Sequence, residues 1–253
     1  MPTDPASLIL LLGAAFVAGA LNAVAGGGSF LTLPALIFTG VPPVVANATG
    51  TVALLPGYIS AALGFRVDMK APPGMNLRSL AVLSILGGGT GAALLLMTGD
   101  VAFGRIVPWL MAASTIMFAM GPWLTRRRGS GGEGAGYSPK SVLGTMAVTA
   151  YGGYFNGGLG IMLLAWFGLL GQTNLNAMNG LKNLVSALLT AMAVLVYAAG
   201  GVVWWPHSLL MMVAATAGGY WGARIARRIP PHILRGGIVA VGTVMTALFF
   251  MRN

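Results

Sequence analysis

The chain has 253 residues, of which 57% are hydrophobic and only 7% are charged, against roughly 25% charged residues in ordinary soluble domains. This composition excludes a typical water-soluble domain and indicates a protein of the lipid bilayer, and the absence of cysteine excludes disulfides, thiolate metal sites and thiol catalysis. The net charge of +10 would suggest nucleic acid as the partner of a soluble protein, but the basic residues cluster in short loops between apolar segments, which indicates a positive-inside bias and no nucleic-acid partner.

Eight apolar segments are mostly close to the ~20 residues that a membrane-spanning helix needs. In chain order they are Leu8–Val24, Val44–Phe65, Leu77–Met97, Val101–Leu124, Ser141–Phe155, Leu175–Ala199, Ser208–Ala223 and Ile233–Met251. The first lacks the basic residues that precede the apolar part of a signal peptide, so we interpret it as a spanning helix. The sequence therefore predicts an all-α polytopic membrane protein.

Two further apolar runs, Ser29–Thr39 and Leu159–Leu170, are too short to span a bilayer. As helices they would be only about 17 Å long at 1.5 Å per residue, whereas the hydrocarbon core is about 30 Å thick. We expect them to form short broken or re-entrant helices.

A hydrophilic stretch rich in glycine and serine divides the chain near its middle, and a stretch of this composition is flexible. We expect a first transmembrane repeat at 1–125, a basic linker at 126–140 and a second transmembrane repeat at 141–253, with five apolar segments in each repeat. Sliding one half along the other by 130 residues superposes Gly27 on Gly157. Chance could explain any single glycine match, but an ordered series of matches indicates a repeat.

Charge in the loops predicts how the two halves are oriented. After its third segment the first half has a basic loop with Arg66 and Lys70, whereas the corresponding loop of the second half, GGVVWWP, has no charge and the next loop is basic. If each of the five segments in each half counts as one crossing of the membrane, every basic loop falls on one side of the membrane. We therefore predict two inverted repeats with both termini outside, an architecture that recurs in transporters with a site near the midplane.

Each half contains a glycine-rich break just before its short segment. Gly26, Gly27 and Gly28 precede SFLTLPALIF, and Asn156, Gly157 and Gly158 precede LGIMLLAWFG. Non-helical backbone at membrane depth occurs only where it is buried in protein or lines a wet cavity. The first turn of the following helix would present free N–H groups and a positive dipole end to an anion. The alternative is that these glycines only let helices pack closely.

Polar residues mark the third apolar segment of each half. In the second half they recur at spacings of three and four and so line one helix face: Asn176, Asn179, Asn183, Ser186 and Thr190. In the first half the matching stretch carries Asn47, Thr49 and Thr51. Such a stripe faces protein or water, either as part of a binding site or as polar contacts between helices.

Lys182 is a charged residue within one of these segments, and intramembrane ionisable residues usually have a function or a partner. Each Asp and Glu of the chain falls in a loop or in the N-terminal tail. We therefore expect the counter-charge of Lys182 to be an anionic ligand. The alternative is that Lys182 extends to the interface or binds carbonyl groups at the start of its helix.

The same lack of intramembrane carboxylates argues against several functions. A carboxylate proton relay, a carboxylate-coordinated cation site and a paired-carboxylate hydrolase would all lack their central residues. The two histidines, His207 and His232, lie at loop edges, so we expect no enzyme activity, no metal and no cofactor. The GGGTG run at 87–91 lacks the strand and helix context of a nucleotide loop, and helix packing explains it better.

The sequence resembles the sulfite exporter TauE/SafE family, also called the TSUP family. The resemblance rests on GGGSFLTLPALIFTGVPPVVANATGTVALLPG in the first half and on NGGLG and NAMNGLKN in the second, and the ten-segment pattern covers nearly the whole chain. It implies a bacterial inner-membrane secondary transporter of sulfite, of sulfonates such as sulfoacetate, or of related small anions. The second half departs from the pattern, because its glycine cluster is shorter and its short segment lacks a proline.

The sequence thus predicts alternating-access transport of a small sulfur-containing anion, driven by a proton gradient or by the substrate gradient. The predicted substrate-binding residues are Gly26, Gly27, Gly28, Ser29, Asn47, Thr49, Thr51, Asn156, Gly157, Gly158, Asn176, Asn179, Lys182 and Asn183. Two alternatives stay open at this point: an uncoupled anion channel or uniporter, and a non-transporting membrane scaffold.

Overall fold

A computed structural model of the chain describes residues 4–25, 27–126, 138–226 and 231–252. These residues form nine α-helices and contain no strand, as predicted for an all-α protein. In chain order the helices are α1 (Pro5–Ala25), α2 (Ser29–Phe38), α3 (Pro43–Gly64), α4 (Leu77–Arg126), α5 (Pro139–Tyr154), α6 (Leu159–Leu169), α7 (Leu175–Ala199), α8 (Trp205–Ala226) and α9 (Pro231–Arg252).

The predicted segments Leu77–Met97 and Val101–Leu124 form two helical stretches that are joined in α4 at a kink of one residue, without a longer loop. A single residue, Gly99, interrupts this helix with a φ of 72° and a ψ of 168°. It divides α4 into a first arm, residues 77–98, and a second arm, residues 100–126. The carboxylate of Asp100, at the start of the second arm, accepts a hydrogen bond of 2.9 Å from the N–H of Val44 in the first turn of α3.

Several helices begin where the local sequence favours it. Proline occupies the first turn of α3 and α5, where a missing N–H costs no hydrogen bond. Before α5 the Ser138 hydroxyl accepts the N–H of Ser141 at 3.2 Å, and before α7 the Asn174 side chain accepts the N–H of Ala177 at 3.0 Å. These caps satisfy N–H groups that a helix leaves unpaired at its start.

Four helices of the described residues are long and apolar enough to cross a membrane: α1, α3, α4 and α7. Large apolar side chains such as Ile9, Met97, Leu143 and Val213 are exposed on the outside of the bundle. An outer surface of this kind suits lipid rather than water. The chain is therefore a multi-pass membrane protein.

The two short helices fold back as the second limbs of hairpins. Trp166 of α6 donates its indole N–H to Thr145 of α5 at 2.9 Å, which aligns α6 against α5 in the opposite direction. At the other hairpin, Gly28 at the start of α2 lies so close to α1 that a Cβ there would come within 2.9 Å of the Ala18 carbonyl oxygen. Each glycine-rich break therefore lies at the tip of a hairpin, inside the protein.

At the centre of the bundle, α3 and α7 pack against each other in opposite directions. Gly180, near the start of α7, lies against Phe65 just after the end of α3. At the other end, the N–H of Trp204, after α7, donates to the Thr49 hydroxyl near the start of α3 at 3.1 Å. The two predicted polar segments are thus neighbours.

Glycines bring two pairs of helices into backbone contact. A Cβ on Gly91, in the first arm of α4, would lie 1.9 Å from the Ala150 carbonyl oxygen in α5, and one on Gly19 in α1 would lie 1.9 Å from the Ala215 carbonyl oxygen in α8. Small residues serve this purpose in membranes, where close backbone approach replaces the hydrophobic effect. The packing interpretation of the 87–91 glycine run is confirmed.

We expect Gly91→Ala to lower the thermal stability of the detergent-solubilised protein, because overpacking of a tight contact costs about 1–3 kcal/mol. Gly89→Ala in the same run is the matched control, since a Cβ there would meet only the flexible Met192 side chain, at 3.3 Å. Equal unfolding temperatures of the two variants would contradict the packing role of Gly91.

Candidate functional site

The break between α5 and α6 has a backbone conformation that needs special residues. Asn156 has a φ of 62° and Gly158 a φ of 70°, both in the left-handed region. A side chain at Gly157 would collide with the Phe155 ring, since a Cβ there would lie 2.3 Å from it. Glycine at 157 and 158 therefore allows the sharp reversal, and asparagine is among the few other residues that tolerate a positive φ.

Side chains from two helices hold the tip of this hairpin. The Tyr151 hydroxyl of α5 donates to the Gly157 carbonyl at 2.7 Å. Ser114, on the second arm of α4, lies 2.6 Å from the Tyr151 hydroxyl and 3.0 Å from the same carbonyl. A carbonyl that the broken helix leaves unpaired is thus satisfied without water.

The end of α5 is tied to α3 and α7 in the same way. The Asn47 side chain of α3 donates to the Tyr154 carbonyl at 3.1 Å. The hydroxyl of Tyr197, which is fully buried in α7, donates to the Gly153 carbonyl. The two central helices therefore both contact the second break.

Asn156 lies at the tip itself and is 1% exposed. Its side-chain oxygen accepts a hydrogen bond of 3.1 Å from the hydroxyl of Tyr58 in α3. Its side-chain nitrogen is buried and finds no hydrogen-bond partner among the described residues. The second break therefore presents an unused donor in the protein interior.

One face of α7 carries further unused polar groups. Lys182 is 4% exposed and makes no hydrogen bond or ion pair with any residue that the structure describes, and the same is true of the buried Asn183 side chain. The hydroxyls of Ser186 and Thr190 are buried, again with no partner in the described ranges. By helical spacing Tyr197 lies on this face too, so the face is turned toward the second break.

The matching face of α3 is also turned toward the second break. Asn47 bonds to Tyr154 at the end of α5 and Tyr58 bonds to Asn156 at the break, so both lie on the same side of α3. Thr51 falls between them on that side. Thr51 is buried. We call the residues on these two faces and at the tip the central polar cluster: Asn47, Thr51, Tyr58, Asn156, Lys182, Asn183, Ser186 and Thr190.

The first break is packed differently. Gly26 lies outside the described residues, while Gly27, Gly28 and Ser29 are buried. Gly28 lies against the side chain of Leu54. The Asn22 side-chain oxygen, near the end of α1, is buried with no partner in the described part of the chain. The described groups at this tip therefore include an apolar contact and an unused acceptor, where the second tip has an unused donor.

The first turns of the short helices do not leave all of their N–H groups free. In α2 the N–H groups of Phe30 and Leu31 bond to the carbonyls of Gly27 and Gly28, at 3.2 and 3.1 Å. In α6 the N–H of Ile161 bonds to the Gly158 carbonyl in the same way, at 3.1 Å. Part of the donor capacity that the sequence predicts at the helix starts is therefore already used within the helices.

Three of the predicted site residues on α3 and α7 lie away from the central polar cluster. Thr49 is buried on another side of α3, where its hydroxyl accepts the Trp204 N–H. Asn176 is exposed at the start of α7, and the partly buried Asn179 donates to the Leu175 carbonyl at 3.0 Å. The predicted polar stripe on α7 is thus buried only from Asn183 onward.

Sequence reasoning did not select Tyr58, Ser114 or Tyr197 as site residues. The spacing of Asn47, Thr51 and Tyr58 on one face of α3 is a signal that could have found Tyr58. The same spacing places Tyr197 on the polar face of α7, so only Ser114 is recognised solely from its contacts with the break. Within the described ranges, no three His, Asp or Glu side chains come together as metal ligands.

Comparison with known proteins agrees with this architecture. Residues 11–249 match the family model of the sulfite exporter TauE/SafE. The chain is 30% identical to a probable membrane transporter protein of Haemophilus influenzae, over 95% of this chain and 93% of that protein. It is 28% identical to the probable membrane transporter protein YfcA of Escherichia coli, over 96% and 90% of the two chains. The chain therefore belongs to the sulfite exporter TauE/SafE family, a family of membrane transporters rather than enzymes.

Proposed function

We propose that the protein transports a small sulfur-containing anion, namely sulfite, sulfoacetate or a related organosulfonate, across the inner membrane by alternating access. The observation that carries this proposal is Lys182, a buried cation with no ion-pair partner among the described residues. A charge removed from water needs a partner, because its desolvation is otherwise very costly. An anionic substrate supplies that partner.

The rest of the central polar cluster suits such a substrate. Sulfite and sulfonate groups offer oxygen acceptors, and the unused groups include the amide nitrogen of Asn156 and the hydroxyls of Ser186 and Thr190, which can donate. Each buried polar group that stays unpaired costs about 1–3 kcal/mol. A bound oxyanion would offset several of these costs at once, so the cluster favours a ligand with several acceptor oxygens.

We also propose that residues 1–125 and 141–253 are inverted repeats, joined by the linker at 126–140. The pattern of helix contacts supports this proposal. If α5 to α9 correspond in chain order to α1, α2, α3 and the two arms of α4, exchanging each helix with its counterpart gives the same contacts. α1 packs on α8 as the first arm of α4 packs on α5, and α3 packs on α8 as α7 packs on α4. The counterparts α3 and α7 themselves run in opposite directions.

The first experiment measures sulfite and sulfoacetate uptake into proteoliposomes, with and without a pH gradient. We expect saturable uptake by the wild type and a loss of about tenfold or more in Lys182→Met, because the anion loses its charged partner. Lys140→Met is the matched control, since Lys140 is exposed at the start of α5 and its loss should leave uptake unchanged.

Two outcomes of this experiment would contradict the proposal. Unchanged uptake in Lys182→Met would give the lysine a structural role. The absence of uptake for every sulfur anion would remove the substrate assignment.

Accumulation against a concentration gradient separates a coupled transporter from a channel, which cannot accumulate its substrate. A dependence on the pH gradient would identify proton coupling, with the proton carried on the anion or the protein.

We expect Thr190→Val to leave the unfolding temperature unchanged or to raise it, because the Thr190 hydroxyl has no partner in the described residues. Thr149→Val is the matched control. It has the same shape change, but the Thr149 hydroxyl lies 3.2 Å from the Leu83 carbonyl, so we expect a loss of about 0.5–1.5 kcal/mol. A larger loss in Thr190→Val than in Thr149→Val would mean that the Thr190 hydroxyl is structural.

The inverted orientation can be tested by cysteine labelling, because the chain has no native cysteine. Val67→Cys and Trp205→Cys place exposed thiols after the third segment of each half. We expect a membrane-impermeant maleimide to label them from opposite sides of oriented vesicles. Labelling of both from the same side would contradict inversion.

A further inference from the structure

Tyr58 differs from the other residues around the second break in what it binds. Its side chain is buried, and its hydroxyl donates to the side-chain oxygen of Asn156, not to a backbone carbonyl. An amide group has an acceptor end and a donor end. With the acceptor end held by Tyr58, the donor end is fixed on the opposite side, where it is buried and finds no partner among the described residues.

The backbone conformation at Asn156 indicates that its side chain has a role other than stabilising the fold. Its φ of 62° lies in the region that glycine adopts without cost, and glycine follows at the next two positions. Asparagine tolerates this region better than other non-glycine residues but less freely than glycine, and residues in this region cluster at functional sites. The position thus combines a backbone conformation that glycine adopts more readily with an unused buried donor, and the unused donor costs stability.

We infer that Tyr58 is a positioning residue, which orients the Asn156 amide so that its N–H group meets an oxygen of the transported anion. This inference rests on the proposed function and adds a specificity element to it. Without the Tyr58 hydroxyl the amide can rotate and turn its oxygen toward the anion. A carbonyl oxygen repels an oxyanion, so the hydrogen bond of Tyr58 selects for acceptor groups on the substrate.

The test compares the sulfite uptake kinetics of Tyr58→Phe, Asn156→Gly and the double variant in proteoliposomes. We expect Tyr58→Phe to raise KM about fivefold or more, as for one lost hydrogen bond, with little change in the maximal rate. Asn156→Gly should raise KM at least as much. The double variant should be no worse than Asn156→Gly alone, because Tyr58 acts only through that amide.

Tyr197→Phe is the matched control. It removes the same hydroxyl from a buried tyrosine that also contacts the second break, but its partner is the Gly153 carbonyl. Its effect on KM should therefore be the same in the wild-type and Asn156→Gly backgrounds. The unfolding temperature gives a second readout, since sulfite should stabilise Asn156→Gly less than it stabilises the wild type.

The outcomes separate this inference from the proposed function. If the wild type takes up sulfite but the effects of Tyr58→Phe and Asn156→Gly on KM multiply independently, Tyr58 is structural and the inference is wrong. If sulfite raises the unfolding temperature of Asn156→Gly as much as that of the wild type, the amide does not meet the anion and the inference is likewise wrong. If the wild type neither takes up nor is stabilised by any sulfur anion, the proposed function and this inference both fail.

Discussion

A polypeptide that breaks its helices within a membrane must still satisfy the backbone groups that the break sets free. In this protein the requirement is met at the second break by side chains of neighbouring helices. Asn47 and Tyr197 bind carbonyls at the end of α5, and Tyr151 of α5 and Ser114 of α4 bind the Gly157 carbonyl. These bonds fix where α3, α7 and α4 lie around the hairpin tip, and so the arrangement of the polar faces follows from them.

The two hairpins share their topology but not their chemistry. The second tip is surrounded by hydroxyl and amide groups, whereas Gly28 at the first tip lies against Leu54. A substrate with an anionic end and an apolar remainder would find different surroundings at the two tips. The two proposed repeats thus differ in the groups around their tips, and among the described residues the second half contributes the unused polar groups of Asn156, Ser186 and Thr190.

Much of the fold could be predicted from the sequence, because helices in a bilayer must be long and apolar and their breaks are marked by glycine. The site could be predicted only in part. Lys182 and Asn156 stand out as polar residues in apolar surroundings. Thr49 has the same appearance but caps the chain before α8, and Tyr58 looks like a core residue until its hydroxyl is seen to bind Asn156. Tertiary contacts decide whether such a residue belongs to the site, and the pattern of residues along the chain does not show these contacts.

The glycine that divides α4 has a mechanical consequence. A side chain at Gly99 would meet no atom within 4 Å, so the kink is not enforced by packing around this residue; the hydrogen bond beside it, from Val44 to Asp100, ties it to α3. The arm before it packs on α5 and α7, and the arm after it carries Ser114, which is bonded to the second hairpin tip. The angle of this kink therefore sets how the packing of the first arm on α5 and α7 is related to the position of the hairpin tip that Ser114 holds.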